Sequence, residues 1–372
     1  MTRRSGPLGG LKVVELAGIG PGPLAGMLLA DWGADVVVVD RPRPSQIRAL
    51  IPAEFLITNR GKRLTTADLK SDAGRRATWD LLDGADVLLE GFRPGTLERL
   101  GFGPEAVHAR NSRLVYTRIT GWGQTGPRAP TAGHDIGYIA LTGALAAIGR
   151  AGEPPLPPVN FLGDYAGGTM FAVAGTLAAL LEVGRSGRGQ VVDAAMTDGV
   201  AALLAPMASM FGAGRWHLER GVNLLDTGAP FYDVYRTSDG RFLAVGALED
   251  EFFAALIAGL GIEPAEAADR WNPRAWPELR RRIATAIVAK TRAEWTKVFA
   301  GTDACVAPVL TLEEAERDDH NVARAAFVRV AGHLHPAPAP RFDRTTSGTP
   351  AAPPVETTPI EAIAEEWRRL DP

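Results

Sequence analysis

The sequence predicts an α/β fold: a large domain built on a parallel sheet, followed by a smaller α+β domain. Three observations carry this. The chain opens strand, glycine loop, helix, strand, a βαβ unit whose two strands must run parallel. The early apolar runs, Val36-Val37-Val38-Val39 above all, are continuous rather than alternating, as in strands covered on both faces. After residues 212–230 the pattern changes to a hairpin followed by helices. The 372 residues suffice for two domains.

In order, residues 12–16 form a strand, Ala17-Gly18-Ile19-Gly20-Pro21-Gly22-Pro23 a tight loop, and residues 24–32 an apolar helix closed by Gly33. Residues 35–39 form the second strand. A dinucleotide site is disfavoured, because Pro23 stands where a third glycine should pack and Pro21 lacks an N–H for a pyrophosphate. Arg41, directly after that strand, suits a ribose phosphate better than a free hydroxyl. Residues 43–55 read as a surface loop. Asn59-Arg60-Gly61-Lys62-Arg63 is either a solvated turn or a phosphate contact. A helix at 72–82 leads to a strand at 86–90, and Arg93 follows at its C-terminal end, where open α/β sheets bind ligands. Residues 113–119 form another strand, ending in a glycine loop, 120–127, that brings backbone close to a ligand.

Next come two helices behind reactive side chains. After His134 and Asp135, apolar residues recur at helical spacing to Ile148; after Asp164 they recur to Leu181. Asp164, and Asp135 likewise, are read as N-caps, so an imidazole and a carboxylate each stand at the positive end of a helix. Bases on two sides of a ligand, with N–H donors between, suit proton abstraction beside a carbonyl. A strand at 190–194 and a helix at 197–211 follow. The hairpin spans 231–245, with helices at 251–260, 276–289 and 293–300, a strand at 305–310 and a helix at 311–317. From His333 the chain is proline-rich and reads as an extended tail, before an amphipathic last helix, 360–370. The expected organisation is residues 1–200 as the large domain, 201–230 as a linker, 231–325 as the small domain, and 326–372 as a return segment, with 331–372 completing the large domain.

A formal net charge of -3 argues against nucleic-acid binding, and no apolar stretch approaches the length of a membrane span. Arg3 and Arg4 have no apolar core behind them, so no signal peptide is expected and the expected location is cytoplasmic. The single cysteine, Cys305, excludes an internal disulfide and a cysteine-cluster metal site and reads as buried strand filler. His108, His217, His320, His333 and His335 lack reactive company. Met196, Met207 and Met210 fit either an acyl surface or the core.

The segments at 14–23, 91–95, 120–127, 133–135, 160–168, 189–199 and 226–230 together closely resemble the α-methylacyl-CoA racemases, within the family III (CaiB/BaiF) CoA-transferase superfamily. The resemblance spans nearly the whole chain and is loosest at 42–55 and after Gly332. It implies a Rossmann-like large domain, an interlocked homodimer, an acyl-CoA thioester substrate, and no metal or redox cofactor. It implies His134 and Asp164 as the acid/base pair, Glu249 as the carboxylate orienting His134, and the Asp135 N–H as donor to the thioester oxygen. Arg41, Ala67 and Arg93 match CoA-contacting positions. Racemisation needs a proton removed from one face of C2 and returned from the other, and a histidine titrating near pH ~6.5 can do either. An N-cap position lowers the pKa of Asp164, and burial beside the ligand must work against that. The rival implied by the same resemblance is a CoA-transferase in which Asp164 attacks the thioester. A histidine at 134 weighs against it.

Overall fold

The computed structural model describes residues 5–43, 50–267 and 269–370. Backbone contacts divide the chain into two compact units, one of residues 1–142, 159–203 and 320–372, the other of residues 143–158 and 204–319.

The main sheet of the first unit has six strands: β1 Lys12–Leu16, β2 Asp35–Asp40, β3 Arg63–Thr66, β4 Val87–Glu90, β5 Val115–Thr120 and β6 Val191–Ala195. They form one sheet in the order β3-β2-β1-β4-β5-β6, parallel throughout, with Val14 facing Val37 on one side and Leu88 on the other. The strand order reverses between β1 and β4, which opens a crevice at their C-terminal ends.

Helices cover both faces, as continuous apolar strands require. Helix α1, Pro21–Asp31, starts with proline in its first turn, where no N–H is needed. Helix α2, Asp72–Leu82, is capped by Ser71, whose hydroxyl accepts the Gly74 N–H at 3.0 Å. Two short helices follow, α3 Thr96–Leu100 and α4 Pro104–Arg110. Beyond β5 come α5, Asp135–Leu141, a π-helix at Phe161–Thr169, α6 Met170–Ser186 and α7 Met196–Leu203. Leu29 of α1 and Val173 of α6 pack with Val36 and Val115; Leu81 and Leu82 of α2 pack with Val14, Leu88 and Trp367 on the other side.

The second unit contains α8, Ala205–Gly212, and a three-stranded antiparallel sheet of β7 Tyr232–Arg236, β8 Phe242–Gly246 and β9 Val306–Pro308. Helices α9 Asp250–Leu260, α10 Trp276–Ile287 and α11 Arg292–Phe299 complete it around Phe231, Leu243, Phe253, Ile283 and Trp295. The hairpin and the helices follow the sequence expectation within one or two residues. The helix expected at 197–211 is two, α7 and α8, because Pro206 cannot continue the first. The loop before β7 is knotted by the buried Asp226 carboxylate, which accepts the N–H groups of Gly221, Asn223 and Gly228.

In the first unit, β10 Phe327–Val330 and β11 His333–Pro336 pair antiparallel, and α12, Ile360–Leu370, packs beside α2. The proline-rich stretch is therefore not a bare tail. His335 is fully buried, the Trp32 indole N–H donates to the Ala339 carbonyl, and Phe342 sits edge-on to Trp32. Prolines lack N–H donors but keep their carbonyls, and Arg60 donates to that of Pro336.

Three further expectations need correction. The 59–63 stretch is neither a solvated turn nor a phosphate contact: Arg60 and Lys62 are buried against Asp31 and Glu15, and Arg63 pairs with Asp35 and Glu366. Cys305 is exposed, since its φ of 52° turns the chain just before β9. The helical run Phe161–Ser186 is, by length and composition alone, long and apolar enough to cross a membrane. It is nonetheless a helix of this core, with Ala172, Val173, Thr176, Ala179 and Val183 buried on its inner face. Of the expected surface loop at 43–55, residues 44–49 lie outside the described residues.

Candidate functional site

The loops leaving the C-terminal ends of β1 to β5 surround a cavity of about 1030 Å³, lined entirely by residues of the first unit. Arg41, Ala67, Arg93, His134 and Asp164 all line it. Parallel strand register delivers the first three to one rim: Arg41 follows β2, Ala67 follows β3, and Arg93 follows β4. Ala67 is buried, while both arginines are exposed at the mouth.

His134 occupies the N-cap position of α5, with extended backbone (φ −136°, ψ 168°) and no side-chain capping bond. Asp135 is thus not the cap but the first helical residue. The Gly137 N–H donates to the His134 carbonyl at 2.8 Å, whereas the N–H of Asp135, the first helical residue, has no acceptor within its own helix. The Asp135 side chain turns inward, is buried, and accepts the Asp164 N–H at 2.7 Å. Its other oxygen is buried without a hydrogen-bond partner among the described residues.

Asp164 is not an N-cap either. It lies in the first turn of the π-helix, with Asn160 in the cap position, and the Asn160 amide donates to its carboxylate at 2.9 Å. Glycines at 163, 167 and 168 let this wide turn pack closely: a Cβ at Gly163 would fall 2.5 Å from the Asp135 carboxylate. Asp164's pKa is raised. Burial is the largest cause; the Asn160 hydrogen bond opposes it, the Asp135 charge adds to it, and a charge on His134 would oppose it. Burial thus outweighs the carboxylate-favouring contacts, and His134 stands close enough to be felt.

Tyr138 completes this corner. It is buried, lines the cavity, and packs edge-on to Trp122 with ring centroids 4.7 Å apart. Glycine loop 120–127 serves it directly, because a Cβ at Gly121 would sit 2.0 Å from the tyrosine ring. Burial raises its pKa, as do Asp164 and Asp135, against Arg93. Tyr138, Asn160 and Lys70 line the cavity without having been singled out in the sequence; the four-residue spacing of Asn160 from Asp164 was the available signal. Met196 is buried and lines the cavity too, whereas Met207 and Met210 lie on α8 outside the lining.

Two carboxylates, Glu15 and Glu90, form part of the floor, each buried against a cation. Glu90 takes the Arg118 guanidinium and also accepts the Phe92 N–H at 2.7 Å, fixing the turn into Arg93. Burial raises the Glu90 pKa despite Arg118. Glu249 belongs to the second unit, exposed at the N-cap position of α9. Buried Arg270 brackets it there, donating to the Ala247 carbonyl and the Asp250 carboxylate.

A cavity that offers an imidazole, a carboxylate of raised pKa and free helix N–H groups can remove and return a proton beside a carbonyl. Against this geometry, residues 8–360 match the family model described as CoA-transferase family III. The chain is 46% identical to α-methylacyl-CoA racemase from Mus musculus over 353 residues, 95% of this chain and 90% of the relative. It is 43% identical to the protein of the same name from Homo sapiens, covering 97% and 93%. Among solved structures, a CaiB/BaiF family protein from Brucella suis superposes with a TM-score of 0.81 at 28% identity, covering 99% of this chain and 100% of that one.

Proposed function

The chain belongs to CoA-transferase family III, and from that premise we propose that it interconverts (2R)- and (2S)-2-methylacyl-CoA thioesters by proton transfer through an enolate. The observation that carries the reading is the pairing of His134 with Asp164 in one cavity, in a chain whose relatives at 43–46% identity bear the racemase name.

In this mechanism one of the pair takes the C2 proton while the other returns a proton to the opposite face, with roles exchanged in reverse. A raised Asp164 pKa brings the carboxyl group nearer the range in which it can both hold and release a proton. The Asp135 N–H, aided by the helix dipole, receives the enolate oxygen, a contribution typically worth about 3 kcal/mol per donor. Arg41, Ala67 and Arg93 receive the CoA moiety, and Arg41 meets its nucleotide phosphate. No metal or redox cofactor is needed, and a cytoplasmic location is proposed with it.

A homodimer is part of the proposal. Helix α6 leaves Met170 50%, Phe171 38% and Leu181 73% exposed, and α8, apolar along its length, has no buried residue. Faces of this kind call for a partner surface, and a second copy supplies one. Sedimentation should give twice the chain mass; a monomer at micromolar concentration would count against it.

The test of function is uptake of solvent deuterium at C2. His134→Ala and Asp164→Ala should each stop racemisation while CoA-ester binding remains measurable. Wild-type rates in both variants would refute the assignment. A covalent acyl or CoA adduct trapped on Asp164 would instead establish the transferase chemistry.

A further inference from the structure

Two cations two residues apart, Arg60 and Lys62, pin opposite ends of α1, and only one of those ends faces the cavity. At the far end the Arg60 guanidinium grips Asp31, the last residue of the helix, at 3.0 and 2.6 Å. At the near end the Lys62 Nζ donates to Glu15 at 2.6 Å and to the Pro23 carbonyl, in the first turn of α1, at 2.8 Å. Both pairs are almost wholly buried: side-chain exposure is 1% and 3% for Arg60 and Asp31, and 0% and 2% for Lys62 and Glu15.

The turn that Lys62 holds is also the wall behind Asp164. The Thr169 hydroxyl, at the end of the π-helix, donates to the Pro21 carbonyl at 2.9 Å and stands 3.3 Å from the Asp164 carbonyl. Gly20, just ahead of α1, lies so near that a Cβ there would sit 3.0 Å from the Asp164 carboxylate. Further along α1, a Cβ at Gly26 would fall 1.9 Å from Glu15. Continuous contacts therefore run from Glu15 through Lys62 and the first turn of α1 to Thr169 and Asp164.

We propose that Lys62, locked by Glu15, is a positioning residue that sets the place of the Asp164 carboxyl group. Apolar side chains of similar volume would serve stability as well as a buried ion pair does. What the pair supplies is a point donor that fixes one carbonyl of the turn against the sheet. This rests on the acid/base role proposed for Asp164.

The test compares two double variants that leave no unpaired buried charge. Glu15→Gln/Lys62→Met should lower kcat for C2 exchange by about a hundredfold, with KM within about threefold, since a displacement near 1 Å at a reacting group costs on that scale. Asp31→Asn/Arg60→Met, matched in burial and in Tm loss, should keep kcat within about threefold of wild type. Thr169→Val, which removes one hydroxyl and little volume, should lower kcat by about tenfold and decides the matter if the first variant does not fold. A kcat unchanged in Glu15→Gln/Lys62→Met and in Thr169→Val, or lost equally in both double variants, overturns the proposal. An Asp164→Asn enzyme racemising at the wild-type rate would sink the acid/base reading itself. An Asp164→Asn enzyme that no longer racemises, beside an unaffected Glu15→Gln/Lys62→Met, sinks only the role of Lys62.

Discussion

A single methyl group at Gly163 should slow the reaction by about two orders of magnitude while the fold stays in place. The added Cβ would lie 2.5 Å from Asp135 Oδ2 and 2.9 Å from its Cγ, with Ile139 Cγ2 behind at 3.2 Å. To regain ordinary contact the carboxylate must retreat by about 1 Å, a shift that close packing opposes. The displaced oxygen is the one that accepts the Asp164 N–H at 2.7 Å. Losing a hydrogen bond to a charged group costs about 1.5–3 kcal/mol, and replacing glycine by alanine within a helix returns about 1 kcal/mol, so the net loss of stability is about 0.5–2 kcal/mol. The rate suffers more, because Asp164 moves with its own amide. Deuterium incorporation at C2, followed by proton NMR with substrate saturating, reads kcat directly. Gly184→Ala on exposed α6 surface, where an added Cβ meets nothing within 4 Å, is the control and should be neutral in rate. A Gly163→Ala enzyme of wild-type kcat would show that the Asp135–Asp164 contact does not set the geometry of the site.

Other outcomes follow from the same contacts. Asp135→Asn removes a charge that raises the Asp164 pKa, so Asp164 should stay ionised to lower pH and the acidic limb of the kcat–pH profile should move down. Trp367→Ala, deleting a ring that is 1% exposed and donates its N–H to Asp35, should destabilise the first unit by about 3–5 kcal/mol in denaturant titration. Burial holds the His335 pKa below its ordinary value, with Arg60 and His333 acting the same way and Asp31 opposing. Burial therefore disfavours the charged ring in the native state. Its share of stability is present above the unfolded histidine pKa, about 6.5, and is lost as pH falls from there through the lowered native value. His335→Leu should accordingly narrow the difference in unfolding midpoint between about pH 7.5 and pH 5.5.

The sheet was legible because its strands are short, continuous and apolar, and a buried parallel strand leaves no other pattern. The reactive pair was legible because histidine and aspartate each begin an apolar helical run. What misled was partnership across sequence distance. Arg60 and Lys62 look like solvent-facing charges, since their partners Asp31 and Glu15 lie 29 and 47 residues away. Asp164 looks like a cap because an apolar helical run follows it; the wider turn shows only once Asn160 and Asp135 are seen holding it. Cys305 sits among apolar neighbours, yet its left-handed backbone faces it outward. Tyr138 reads as one more helix residue until the bare Gly121 and Gly133 reveal the space kept for its ring.

The opposed arrangement of His134 and Asp164 is tested most directly by following exchange from each enantiomer separately in the two single variants. If the groups address opposite faces of C2, His134→Ala should exchange the C2 proton of one enantiomer only, without inversion, and Asp164→Ala should do so for the other. Both enantiomers exchanging alike in one variant, with the other variant inert toward both, would place all the proton transfer on one residue and contradict the account.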